Sequence, residues 1–183
     1  MKRSFLLLCV ALCFGNSIYG QSRFHVDVDG AYYLGLHEHK SKHYIYPDEG
    51  HPYGFSYGLT LRYDVSNRWS AGAGVALARD FNSNYKTLPF YATVRYKALK
   101  QLPESYIFAN VGLAASTIAK GYDAGFTSSL GIGYTKMFAK HFGLNFQIGY
   151  NLKSLDDEND YGGGAADESR IRHSILFGVG VTF

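Results

Sequence analysis

The sequence predicts an all-β fold: eight antiparallel strands in up-and-down order, closed into a transmembrane β-barrel that is apolar outside and polar inside. Three observations predict it. Aromatic residues make up 16% of the 183, with 16 Tyr and 13 Phe beside 21 Gly and only 4 Pro, a composition of strands and turns. Bulky and small residues alternate with a period of two, the period of a strand. The bulky face is the apolar one, and the face opposite is Gly, Ser, Thr and Asn with a few charges. An interior bounded by eight strands holds little more than its own side chains, so this arrangement fits only with the large residues turned out, toward lipid.

The N-terminus reads as a signal peptide over residues 1–20, ahead of a single barrel domain over 21–183. Lys2 and Arg3 form a positive start, Phe5 to Phe14 an apolar stretch, and Asn16 to Gly20 a small and polar tail. The apolar stretch is too short for a hydrocarbon core about 30 Å thick. Cys9 and Cys13 are the only cysteines, and both fall in this segment, each after a Leu rather than the small residue of a lipoprotein site. The expected mature chain therefore has no disulfide and no thiolate ligand. Losing Lys2 and Arg3 reduces 18 basic residues to 16 against 15 acidic ones, which gives a nucleic-acid partner no electrostatic support.

The strands follow in order. Phe24, Val26, Val28 and Tyr32 oppose His25, Asp27, Asp29 and Ala31. In the second, Tyr53, Phe55, Tyr57, Leu59, Leu61 and Tyr63 oppose Gly54, Ser56, Gly58, Thr60, Arg62 and Asp64. Trp69, Ala71, Ala73, Val75 and Leu77 oppose Ser70, Gly72, Gly74 and Ala76, and Leu88, Phe90, Ala92, Val94 and Tyr96 oppose Tyr91, Thr93, Arg95 and Lys97. The fifth sets Ile107, Ala109, Val111 and Leu113 against Phe108, Asn110, Gly112 and Ala114. The sixth sets Phe126, Leu130, Ile132 and Tyr134 against Ser129, Gly131, Gly133 and Thr135. In the seventh, Phe142, Leu144, Phe146, Ile148 and Tyr150 oppose Gly143, Asn145, Gln147, Gly149 and Asn151. The last sets Ile171, Ile175, Phe177, Val179, Val181 and Phe183 against Arg172, Ser174, Gly178, Gly180 and Thr182.

Outward aromatics fall at two levels. Phe24, Tyr63, Trp69, Tyr96, Tyr134, Phe142 and Phe183 mark the expected periplasmic girdle, and Tyr32, Phe55, Phe90, Phe126 and Tyr150 the outer one. The stretch from Phe55 to Tyr63, tilted in the wall, spans roughly 20 Å, near the apolar band of such barrels. Short joins at Val65 to Arg68, Ala98 to Glu104 and Lys136 to His141 alternate with outer ones, of which Gly35 to Pro52 and Leu152 to Ser169 are the longest.

With these residues, the mature chain from Gln21 to Phe183 resembles the small eight-stranded outer-membrane barrels of Gram-negative bacteria, the OmpX/OmpA-like outer membrane protein beta-barrel domain group. The resemblance rests on the terminal strand Ile175, Phe177, Val179, Val181 and Phe183, and on the runs Leu130 to Tyr134 and Asn145 to Tyr150. It implies an outer-membrane location, lipid and lipopolysaccharide as surroundings, and capture of the terminal strand by the barrel-assembly machinery through strand addition. It brings no catalytic motif and no cofactor.

Candidate sites follow from the faces. Asp27, Asp29, Arg62, Asp64, Arg95, Lys97 and Arg172 face the lumen and nearly balance in charge, which predicts an ion-pair network that plugs the barrel; a conducting lining is the rival. His37, His39, His43 and His51 crowd the first outer join and are candidate metal ligands, read instead as part of a solvated loop. The acidic last loop, with Asp156, Asp157, Glu158, Asp160, Asp167 and Glu168, has Tyr161 where a helix–loop–helix calcium site has Gly, and is read the same way. His173 and Ser174 are adjacent, point to opposite faces and cannot share a proton, and His141 has no evident Ser and acid partners, so an enzyme is not expected. The expected role is a monomeric, non-enzymatic barrel for envelope integrity, adhesion or an external ligand met by residues 35–52 and 152–169. Passage of small or hydrophobic solutes is the alternative; lipid A modification ranks last.

Overall fold

A computed structural model describes residues 23–40, 53–81, 86–116, 125–139, 142–157 and 168–183. The expected signal peptide lies outside them. The strands are β1 (Phe24–Lys40), β2 (Tyr53–Asp64), β3 (Trp69–Asp80), β4 (Lys86–Tyr96), β5 (Ser105–Ser116), β6 (Gly125–Ala139), β7 (Phe142–Asp157) and β8 (Glu168–Thr182). Each pairs antiparallel with the next, and β8 returns to β1 to close the barrel. Closure leaves no strand edge, which is the condition that lipid imposes on a sheet. Phe183 completes the seam: it exchanges backbone hydrogen bonds with Val26 at 2.9 and 3.0 Å.

Short turns and both ends of the described chain lie at one end of the barrel, here termed the inner end. At the first of these turns the Ser66 hydroxyl accepts the Trp69 N–H at 3.0 Å and the Arg68 N–H at 3.3 Å, a local bond that a turn serine is suited to make. The strands are longer than the apolar pattern predicts. β1 runs to Lys40, β7 to Asp157, and β8 begins at Glu168, so 35–40, 152–157 and 168–169 belong to strands rather than loops. Polar and charged residues dominate these extensions, so the contrast of period two weakens past Leu34 and Lys153; the backbone ladder continues without it. β6 likewise continues to Ala139, through a bulge after Met137, where a turn was expected from Lys136.

The outer wall is apolar and exposed: Phe24 is 68% exposed, Leu61 59% and Trp69 49%. Phe24 pairs with Tyr63 and Trp69 with Tyr96, their ring centroids 4.8 and 4.5 Å apart, and Phe142 meets Phe183 at 5.9 Å. Two departures from regular pairing stand out. In β1, Gly35 pairs with Ser174 and His37 with His173, which leaves Leu36 as an extra residue in a bulge. Between β3 and β4 the ladder stops after Val75 and Phe90 and resumes at Ala78 and Thr87. Pro89 sits in this gap and has no N–H to give.

Candidate functional site

The inward side chains build a filled lumen in three tiers. At the inner end Asp27, fully buried, is held by two of the three guanidinium groups expected in the lumen. Arg62 meets it with two nitrogens at 3.2 and 3.4 Å, and Arg95 at 2.8 Å. Thr182, its cross-strand partner, donates a fourth bond. Arg62 also reaches Asp64 at 3.2 Å, and Asp64 meets His25 at 3.0 Å. Charges removed from water are tolerated only when paired and bonded in this way.

The middle tier is polar and aromatic. Asn145, fully buried, donates to Asp29 at 2.9 Å and accepts from Tyr106 and from Thr135, the latter at 3.2 Å. Gln147 donates to the Tyr106 hydroxyl at 3.2 Å, and the Arg95 guanidinium lies 4.8 Å from the Tyr106 ring centre. Tyr91 bonds Thr60 at 2.8 Å, and Tyr33 bonds Ser56 at 3.1 Å. Tyr106, Phe108 and Leu176 form the inward apolar cluster, with Ala31 and Tyr33 against it.

Glycine makes room for these rings. Gly74 pairs directly with Tyr91, Gly131 with Phe108 and Gly133 with Tyr106. A Cβ on Gly74 would stand 2.6 Å from the Tyr91 ring, and one on Gly131 2.8 Å from that of Phe108. A Cβ on Gly133 would collide with Tyr106 in the same way. Small-inside, large-outside is therefore too simple a description of this wall. Gly74 and Gly133 face inward because rings on neighbouring strands lie across them, whereas a Cβ on Gly131 would first meet the Ile148 carbonyl oxygen at 2.3 Å.

At the outer end Asp80 bridges two cations across the lumen, Lys153 at 3.2 Å and Arg172 at 3.0 Å, and Lys153 also donates to Thr87 at 2.9 Å. Between the tiers lie cavities of about 80 and 30 Å³, the larger with room for a handful of waters.

Of the residues the sequence singles out for the lumen, Asp27, Asp29, Arg62, Asp64, Arg95 and Arg172 take part in these contacts. Lys97 follows the end of β4 and is exposed at the inner mouth, where it acts on Asp64 through its charge rather than through a hydrogen bond. Asp80 and Lys153 are additions, and parity could have found them. Asp80 continues the face of Ser70, Gly72, Gly74 and Ala76, and Lys153 that of Asn145, Gln147, Gly149 and Asn151. His37 and His39 stand in β1 rather than in a loop, while His43, His51 and His141 lie outside the described residues. His173 faces outward and bonds the Tyr150 hydroxyl, whereas Ser174 is buried in the lumen.

No protein-family model matches the chain, and no curated protein matches it. Solved structures do. The solid-state NMR structure of outer membrane protein AlkL in DMPC lipid bilayers superposes with a TM-score of 0.55 at 10% identity, covering 92% of each chain. The crystal structure of Neisserial surface protein A (NspA) gives 0.57 at 19% identity, over 90% of this chain and 98% of that one. At such identities the likeness concerns the fold. Together with the apolar outer wall, it makes this chain an eight-stranded transmembrane β-barrel.

Proposed function

We propose that the protein is a monomeric, non-enzymatic barrel of the Gram-negative outer membrane, exported by a signal peptide over 1–20, with a lumen plugged by its own side chains. The OmpX/OmpA-like group is the narrower likeness we favour. On this reading Ile175, Phe177, Val179, Val181 and Phe183 carry the assembly signal. Lipid and lipopolysaccharide surround the wall, and the outer end serves envelope integrity, adhesion or an external ligand. NspA, by its name a surface protein, is consistent with work done at that end.

The observation that carries this reading is Asp27, fully buried between Arg62 and Arg95. Its strands β1, β2 and β4 are thereby tied across the lumen, where an open path would run. Single-channel recording in planar bilayers tests it. A plugged barrel gives no steady openings; steady ohmic openings favour the alternative, passage of small solutes. Lipid A modification has little support, because His173 and Ser174 project from opposite faces of β8. Mass spectra of lipid A from overexpressing cells should match the control.

A further inference from the structure

The bulge at Leu36 decides which way the outer end of β1 faces. Before it, Val26, Val28, Tyr32 and Leu34 point outward; after it, the outward parity passes to odd-numbered positions. His37 thus becomes the direct partner of His173, on the outer wall beyond the Tyr150 level. Leu36 and His37 are exposed, and His173 is half-buried. Without the extra residue His37 would turn into the lumen, toward the Lys153 and Arg172 cluster.

Directly opposed residues of an antiparallel pair have Cβ atoms about 4.5–5.5 Å apart. Two imidazoles so placed can both reach one ion at metal–nitrogen distances of about 2.0–2.1 Å. The His173 ring is already oriented, since its Nδ1 is bonded to the Tyr150 hydroxyl. That bond directs Nε2 away from Tyr150, and a ligand histidine held through its other nitrogen is the usual arrangement at metal centres. Bulges also recur where a side chain is re-aimed for use.

We propose that His37 and His173 form a divalent transition-metal site on the outer rim, taking Zn²⁺ or Cu²⁺, with Tyr150 as a positioning residue. Two neutral nitrogen donors select these ions over Mg²⁺ and Ca²⁺, which take oxygen. The site is independent of whether the lumen conducts.

Equilibrium dialysis of the folded protein in detergent against Zn²⁺, in excess Mg²⁺, should show saturable binding. His37→Gln and His173→Gln should each abolish it, while Tyr150→Phe should weaken it about tenfold. Folding of every variant is checked by heat-modifiable gel migration. With Cu²⁺, the EPR spectrum should show coupling to two imidazole nitrogens in the native protein and lose that two-nitrogen pattern in either histidine variant. Zn²⁺ binding that survives both substitutions, or a Cu²⁺ spectrum that neither alters, would overturn the proposal.

Discussion

The two ends of the lumen solve one problem with different materials. Each holds a carboxylate between two cations, Asp27 between Arg62 and Arg95, and Asp80 between Lys153 and Arg172. The inner cluster is denser. Arg62 grips Asp27 with two nitrogens, and Thr182, Asp64, Ser70 and His25 extend the network. The outer cluster spans the lumen, joining β3 to β7 and β8, and its acid is 11% exposed where Asp27 has no exposure. The cations are equally buried at both ends; the difference is that Arg62 uses its planar fork on Asp27, whereas Lys153 meets Asp80 as a point charge beside Arg172. The inner end is built to hold strands together where the chain closes on itself; the outer end straps opposite walls.

The largest effect should come from Asp27→Ala, which leaves two guanidinium groups buried without their acid. We expect a loss of about 3–5 kcal/mol, read by urea titration of the folded, heat-modifiable band in lipid vesicles. Asp80→Ala should cost measurably less in the same assay, and an equal or larger cost would reverse the comparison. Next in size is the middle tier. Gly74→Ala should destabilise by about 1–3 kcal/mol through overpacking, and by clearly less in a Tyr91→Ala background. Additive losses would mean that ring and glycine do not share one space.

Smaller still, Asp80→Ala combined with Lys153→Ala should leave planar bilayers silent, because the inner cluster still closes the lumen. Openings in that double variant would make the outer cluster the true plug. The smallest signal is spectroscopic. Trp69 is the sole tryptophan and stands at the inner aromatic level, so its fluorescence should be quenched more by interface-labelled lipids than by lipids labelled at the bilayer midplane.

The fold was legible because period two survives wherever one face is apolar. The eight strands, their faces and the aromatic levels follow from that contrast alone. It weakens from Gly35 to Lys40, where a bulge reverses the faces, and beyond Lys153; Asp80 and Lys153 themselves continue inward faces whose alternation is followed only as far as Ala76 and Asn151. The Leu36 bulge is harder to read. One unpaired residue reverses every later side chain, and pairing with β8 sets it rather than any local signal. Lys97 shows the limit of parity at a strand end: one residue past β4, it reaches the inner cluster from the exposed mouth. Tyr106 was hidden by its position, one residue before the stretch from Ile107 to Leu113 in which the alternation was read.

The ring-and-glycine pairs tie the sequences of neighbouring strands to one another. Tyr91 is answered by Gly74 and Tyr106 by Gly133, each across a single rung of the ladder. Shrinking the aromatic alone leaves a hollow; enlarging the glycine alone meets a ring. Divergence in this wall should therefore proceed by exchange, bulk crossing from one strand to its neighbour while the sum across each rung stays constant.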